Sequence, residues 1–103
     1  MRHAYLIIAH SNWKQLQLLL RLLDSDRNDI YIHIDKKAKD VPVNELKIST
    51  KKSSVEIFRT YEVYWGSYEL VQSELLLFEQ AHKLHYDYYH LLSGADLPIK
   101  PQK

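Results

Sequence analysis

The sequence predicts an α/β fold: three layers, α/β/α, built on a parallel sheet of about four strands. Three observations carry that reading. Short apolar runs alternate with helical stretches along the chain, the pattern left by βαβ crossovers. The first run, Ala4-Tyr5-Leu6-Ile7-Ile8-Ala9, is continuous rather than alternating, as suits a strand buried on both faces. Polar residues gather just beyond the ends of the runs, where such sheets collect ligands.

Each element has its own justification. After the first run come Ser11 and Asn12, both good N-cap residues. Leu16, Leu19, Leu20 and Leu23 then hold helical spacing and predict a helix from Trp13 to Leu23. Asp24 to Asp29 is polar and reads as a loop. Ile30, Ile32 and Ile34 alternate with Tyr31 and His33, which predicts a second strand from Ile30 to Asp35. Val41 to Ser49 holds a short helix, with Pro42 tolerated in its first turn. Lys51 to Ser54 is a turn, and Val55 to Phe58 a third, weaker strand. Ser67 is the expected N-cap of a helix from Tyr68 to about His85. Leu70, Val71, Leu75, Phe78 and Ala81 are its expected inward face. Tyr86 to Leu92 is the fourth strand, closed by a loop from Ser93 to Pro98.

Composition bounds the chemistry. The chain has 103 residues, with two glycines, three prolines and no cysteine. Both the Walker A loop and the dinucleotide fingerprint need several glycines in a short span, so both are excluded. Without cysteine there is no disulfide framework, thiol nucleophile or cysteine-ligated zinc. Fourteen basic and 13 acidic residues are interspersed for a net charge of +1. That balance asks for neither nucleic acid nor an anionic membrane. The run after Met1-Arg2-His3 is too short for a signal peptide core or a membrane span.

The carboxyl ends of the strands select the candidate site residues. Ala9 and His10 follow the first strand at a helix N-terminus, where an anion is comfortable; a capping role for His10 is equally consistent. Asp35 ends the second strand, well placed to accept hydrogen bonds from a ribose or base, against the plainer role of a solvated aspartate paired with a lysine. Trp65 stacks on a ligand ring or plugs the core, and core packing is the commoner role. Gly66 beside it allows a turn or a close approach. Ser93, Gly94 and Asp96 bring a hydroxyl, a flexible backbone and a carboxylate within four residues, though such turns are common connectors. His82 and His85 lack a further metal ligand and read as a surface pair. Lys36, Lys37, Lys39, Lys51 and Lys52 read as solvated faces. The tyrosines of Tyr86-Asp87-Tyr88-Tyr89 read as packing residues rather than a nucleic-acid platform.

Four ordered blocks together point further. Ala4 to His10, Ile32-His33-Ile34-Asp35-Lys36-Lys37, Val63-Tyr64-Trp65-Gly66-Ser67-Tyr68 and Tyr88 to Ile99 resemble the core-2/I-branching β-1,6-N-acetylglucosaminyltransferase family. That family also includes the peptide O-xylosyltransferases. Bacterial-type members, which begin near this strand without a membrane anchor, are the most similar in plan. Ser67 departs from the second glycine of many members, and Lys39 to Ser54 carries no diagnostic match.

The resemblance implies an inverting transferase of GT-A type, with a UDP-sugar donor, a saccharide or glycoprotein acceptor, and no metal or other cofactor. It puts Ala9, His10, Asp35, Tyr64 and Trp65 around the uridine and sugar-nucleotide pocket, and Ser93, Gly94 and Asp96 near the sugar and diphosphate. Asp24-Ser25-Asp26 matches the D-x-D metal pattern of many glycosyltransferases, but it precedes the second strand, at the wrong end of the sheet. The family's catalytic base and diphosphate-neutralising residues lie in the second half of its domain. Residues 1–103 are therefore expected to be the N-terminal, nucleotide-sugar-binding portion, inactive alone, with no catalytic residue assigned.

The expected strand order is the doubly wound 3-2-1-4. The chain reads as cytoplasmic, or peripheral at a membrane, and self-association is expected through an unpaired sheet edge. A non-catalytic nucleotide-binding or assembly module of the same fold is the alternative. A phosphoacceptor receiver domain ranks low, since it would want acidic residues where Ala9 and His10 stand.

Overall fold

A computed structural model describes residues 1–64 and 67–93. The elements are β1 (His3–Ala9), α1 (Trp13–Leu23), β2 (Asn28–Ile34), α2 (Val43–Lys47), β3 (Val55–Phe58), α3 (Tyr68–His82) and β4 (Tyr88–Ser93). The four strands form one parallel sheet in the order β3-β2-β1-β4. The α/β class, the parallel pairing and the strand order are those the sequence predicts.

Alternation along the strands divides the core in two. On one face Ile7 and Ala9 of β1 and Ile30, Ile32 and Ile34 of β2 pack under Leu16, Leu19 and Leu20 of α1 and Leu46 of α2. On the other, Ala4, Leu6 and Tyr31 meet Leu77 and Ala81 of α3, with Tyr86 closing the layer. Each fully buried leucine or isoleucine contributes about 1.5–3 kcal/mol. α1 therefore buries the stripe its spacing predicts.

α3 corrects the expectation. Ser67 is its N-cap, and the Ser67 hydroxyl accepts from the Leu70 amide, as expected. The buried face, however, is Ser73, Leu77 and Ala81. Val71, Leu75 and Phe78, expected inward, are 46%, 60% and 43% exposed. Leu75-Leu76-Leu77-Phe78 is apolar all round the helix, so hydrophobicity alone selects no face. Small Ser73 and Ala81 decide it, by letting the helix approach the sheet closely. The Ser73 hydroxyl is satisfied by the Glu69 carbonyl at 2.8 Å. The helix also ends at His82 rather than near His85.

Other boundaries shift slightly. Asn12 occupies the α1 N-cap in the left-handed region, φ 57°, and its side chain makes no capping bond. β2 begins at Asn28, so Asp29, expected in a loop, is a strand residue. Its carboxylate accepts from Tyr86 Oη at 2.6 Å and pairs with Arg2. Tyr86 Oη also shares a hydrogen bond with Tyr31 Oη at 2.8 Å. These polar partners make a buried Asp29 tolerable. Tyr86 and Asp87 precede β4 rather than open it.

Candidate functional site

The strand order reverses at β1, whose two neighbours are β2 and β4. In open parallel sheets that reversal opens a crevice beyond the carboxyl ends of the strands. A cleft of about 500 Å³ lies there. Ala9 and His10 line it from the end of β1, Leu92 and Ser93 from β4, and Asp35 from just past β2. Of the residues the sequence nominated, Ala9, His10, Asp35 and Ser93 are thus brought together. Tyr64 does not line the cleft; it is 54% exposed, with its ring against the ammonium of the lining residue Lys37 at 3.7 Å. Trp65, Gly66, Gly94 and Asp96 lie outside the described residues.

Asp35 is the best-held of the group. It is 6% exposed, because its amide donates to the Ala9 carbonyl at 2.9 Å and continues the β1–β2 ladder. Its Oδ1 accepts from the Lys37 amide at 2.9 Å and from the Val63 amide at 3.2 Å. Lys37 Nζ lies 3.0 Å from Oδ2 and donates to the Val63 carbonyl at 2.6 Å. Burial pushes the carboxyl pKa up, but the two amides and the Lys37 ammonium outweigh it and hold Asp35 below the ordinary range. Asp35 and Lys37 together pin the backbone of Val63, through its amide and its carbonyl, at the cleft. The lysine pairing is the plainer of the two roles weighed for Asp35, but the carboxylate is buried rather than solvated.

Sequence reasoning left Lys37, Val63, Leu70 and Glu74, among other lining residues, out of the site. Lys37 was read as a solvated charge, and its position two residues after a strand-ending aspartate was the available signal. Val63 enters the cleft only because the loop folds back onto Asp35. Leu70 and Glu74 reach it from the first turns of α3, on a helix whose faces its periodicity does not separate. The lining is mainly apolar, with an internally neutralised Asp35–Lys37 pair, His10 and the Glu74 carboxylate at its edges. Such a cleft suits a flat, hydrogen-bonding ligand portion.

Among the described residues, no three His, Asp or Glu side chains are placed to hold a metal ion. Asp24 of the D-x-D motif instead accepts from the amides of Lys51, Lys52 and Ser53 at 2.8–2.9 Å. No described helix is long and apolar enough to cross a membrane.

The family model described as core-2/I-branching enzyme matches residues 3–103. The chain belongs to the core-2/I-branching enzyme family. The match spans all four sequence blocks. It makes the chain one of a glycosyltransferase class, whose chemistry joins a nucleotide-sugar donor to a glycan acceptor. No curated protein matches the chain. In this core-2/I-branching chain, described residues of all four blocks, among them His10, Asp35, Val63 and Ser93, line the cleft at the sheet's switch point.

Proposed function

We propose that the cleft binds the nucleoside end of a UDP-sugar, and that residues 1–103 supply the donor-binding portion of a glycosyltransferase domain. One observation carries this reading: the cleft opens where the strand order reverses, and Asp35 and Lys37 order its roof while cancelling each other's charge. Its apolar floor accepts a base and ribose, and its polar rim accepts their N–H and O–H groups. The sugar and diphosphate extend toward Ser93, and the family resemblance assigns Gly94 and Asp96 to the same part of the donor.

The reaction proposed is β-1,6-N-acetylglucosaminyl or xylosyl-type transfer. An acceptor hydroxyl of a saccharide or glycoprotein attacks the anomeric carbon with inversion and the UDP oxygen departs. A general base removes the hydroxyl proton. No described residue is assigned that role, and no metal is required. The test is calorimetry with UDP and with uridine. Both bind the wild-type chain, and Asp35→Ala weakens both by about tenfold or more, the scale of a lost pair of charge-assisted bonds. Absence of binding, or equal binding by the variant, rejects the assignment.

A further inference from the structure

His33, in β2, stands two residues before Asp35, which follows the strand's end, and is 0% exposed. Its Nε2 accepts from the amides of Thr60 and Tyr61, at 3.2 and 3.1 Å. Its Nδ1 is buried without a hydrogen-bond partner among the described residues. An imidazole nitrogen that accepts two N–H bonds carries a lone pair, so the ring is neutral and its proton sits on Nδ1. Asp35 takes the next amide but one, that of Val63. His33 and Asp35, at and just beyond the end of β2, thus hold three amides of the segment that reaches the cleft at Val63.

We infer that His33 is a positioning residue of the donor site: its neutral imidazole, acting with Asp35, fixes residues 60–63 in the conformation that places Val63 at the cleft. This rests on the proposal that the cleft binds the donor. The hold depends on protonation. A proton on Nε2 turns the acceptor into a donor facing two further donors, and the segment is released. The ring's surroundings resist that proton. Ile8 of β1 and Phe58 of β3 stand in register with His33, and the buried positions of α3 are uncharged Ser73, Leu77 and Ala81. Tyr61 stacks on the ring at 5.9 Å, and Tyr31 precedes it on the same face with its hydroxyl committed to Tyr86. Asp35 is the one charge that favours the imidazolium; burial dominates and holds the ring's pKa below 6.5.

The test compares wild type, His33→Gln and His33→Ala. The ligand is UDP-N-acetylglucosamine, whose phosphodiester groups do not titrate near neutrality. Glutamine can present an uncharged oxygen where Nε2 lies. At pH 7.5, His33→Gln binds within about threefold of wild type, and His33→Ala binds roughly tenfold more weakly. Between pH 7.5 and 5, wild type loses affinity and His33→Gln loses distinctly less. His10 remains in both chains, so the difference belongs to His33. Long-range proton–nitrogen spectra place the wild-type ring proton on Nδ1, and acidification shifts the amides of Thr60 and Tyr61. A proton on Nε2, or identical pH profiles for wild type and His33→Gln, overturns the inference. If wild type binds no nucleotide at any pH, the donor reading fails, while the ring tautomer and the two amides still decide whether His33 holds the segment.

Discussion

Lys37 Nζ lies 3.0 Å from Oδ2 of Asp35, while Oδ1 of the same carboxylate holds the amides of Lys37 and Val63. One buried carboxylate therefore gathers the end of β2, the turn behind it and the roof of the cleft. Removing its charge should cost both stability and binding. Asp35→Asn is expected to lower folding stability by about 1–3 kcal/mol. Because its pKa is depressed in the fold, Asp35 stabilises above the unfolded value near 3.8 and loses that contribution as pH falls through its lower folded value. Chemical denaturation at pH 7 and pH 3 checks this. The gap between wild type and Asp35→Asn should be wide at pH 7 and should narrow at pH 3.

The Asp29–Tyr86 pair does a different task at the other end of the sheet. Burial, and then the hydrogen bond to Asp29, raise the Tyr86 hydroxyl well above its ordinary pKa. The phenol therefore stays a donor throughout the folding range. Tyr86→Phe leaves the Asp29 carboxylate one bond short and should cost about 1–3 kcal/mol. Uridine affinity should not change, since β1 and β2 end far from that pair. A denaturation midpoint shift with unaltered calorimetry is the expected result. A parallel loss of binding would show that the two ends of the sheet are coupled.

The sheet was legible in the sequence because continuous apolar runs such as Leu6-Ile7-Ile8 have few ways to be buried. α3 was only half legible. Ser67 announced its start, but four consecutive apolar residues hid which face turned inward, and the small residues that choose it carry no hydrophobic signal. Leu77→Ala should cost about 2–5 kcal/mol. Leu75→Gln, at a position 60% exposed, should stay within about 0.5 kcal/mol. Thermal melts of the two variants separate the observed face from the expected one. Phe78 is partly sheltered by stacking on Tyr89 at 5.3 Å and is the weaker choice for this comparison.

The site was legible to the extent that strand ends are. Ala9, His10, Asp35 and Ser93 follow from the position rule, whereas Glu74 and His33 do not. Glutamate on a helix reads as a solvated charge, and a histidine inside a strand reads as packing, until the fold shows what each touches. Burial of His33 has a consequence for stability as well as binding. Burial holds its folded pKa below 6.5, and burial with neighbouring His3 does the same for His90. Below pH 6.5 the unfolded chain therefore takes up more protons than the folded one, and stability falls. Melting temperature should decline from pH 7 to pH 5. His33→Gln should flatten part of that decline.

Asp24 gives the clearest separation between a motif and its use. A D-x-D element that holds a metal keeps carboxylate oxygens available to it. Here Oδ1 accepts from the Lys52 and Ser53 amides, and Oδ2 accepts from the Lys51 amide. Burial pushes the Asp24 pKa up, but those three amides outweigh it and bring it below its ordinary value. The carboxylate thus closes the turn that leads into β3, and Ser53 reinforces it by bonding Ser25 through both donor and acceptor. Asp24→Ala strips three amides of their acceptor and should lower the melting temperature by several degrees, since about 1 kcal/mol corresponds to roughly 4–8 °C at this size. Asp26→Ala, which disrupts the motif equally, should change it little. Manganese should raise the melting temperature of neither wild type nor variant. A manganese-dependent rise that both substitutions abolish would return the motif to metal binding.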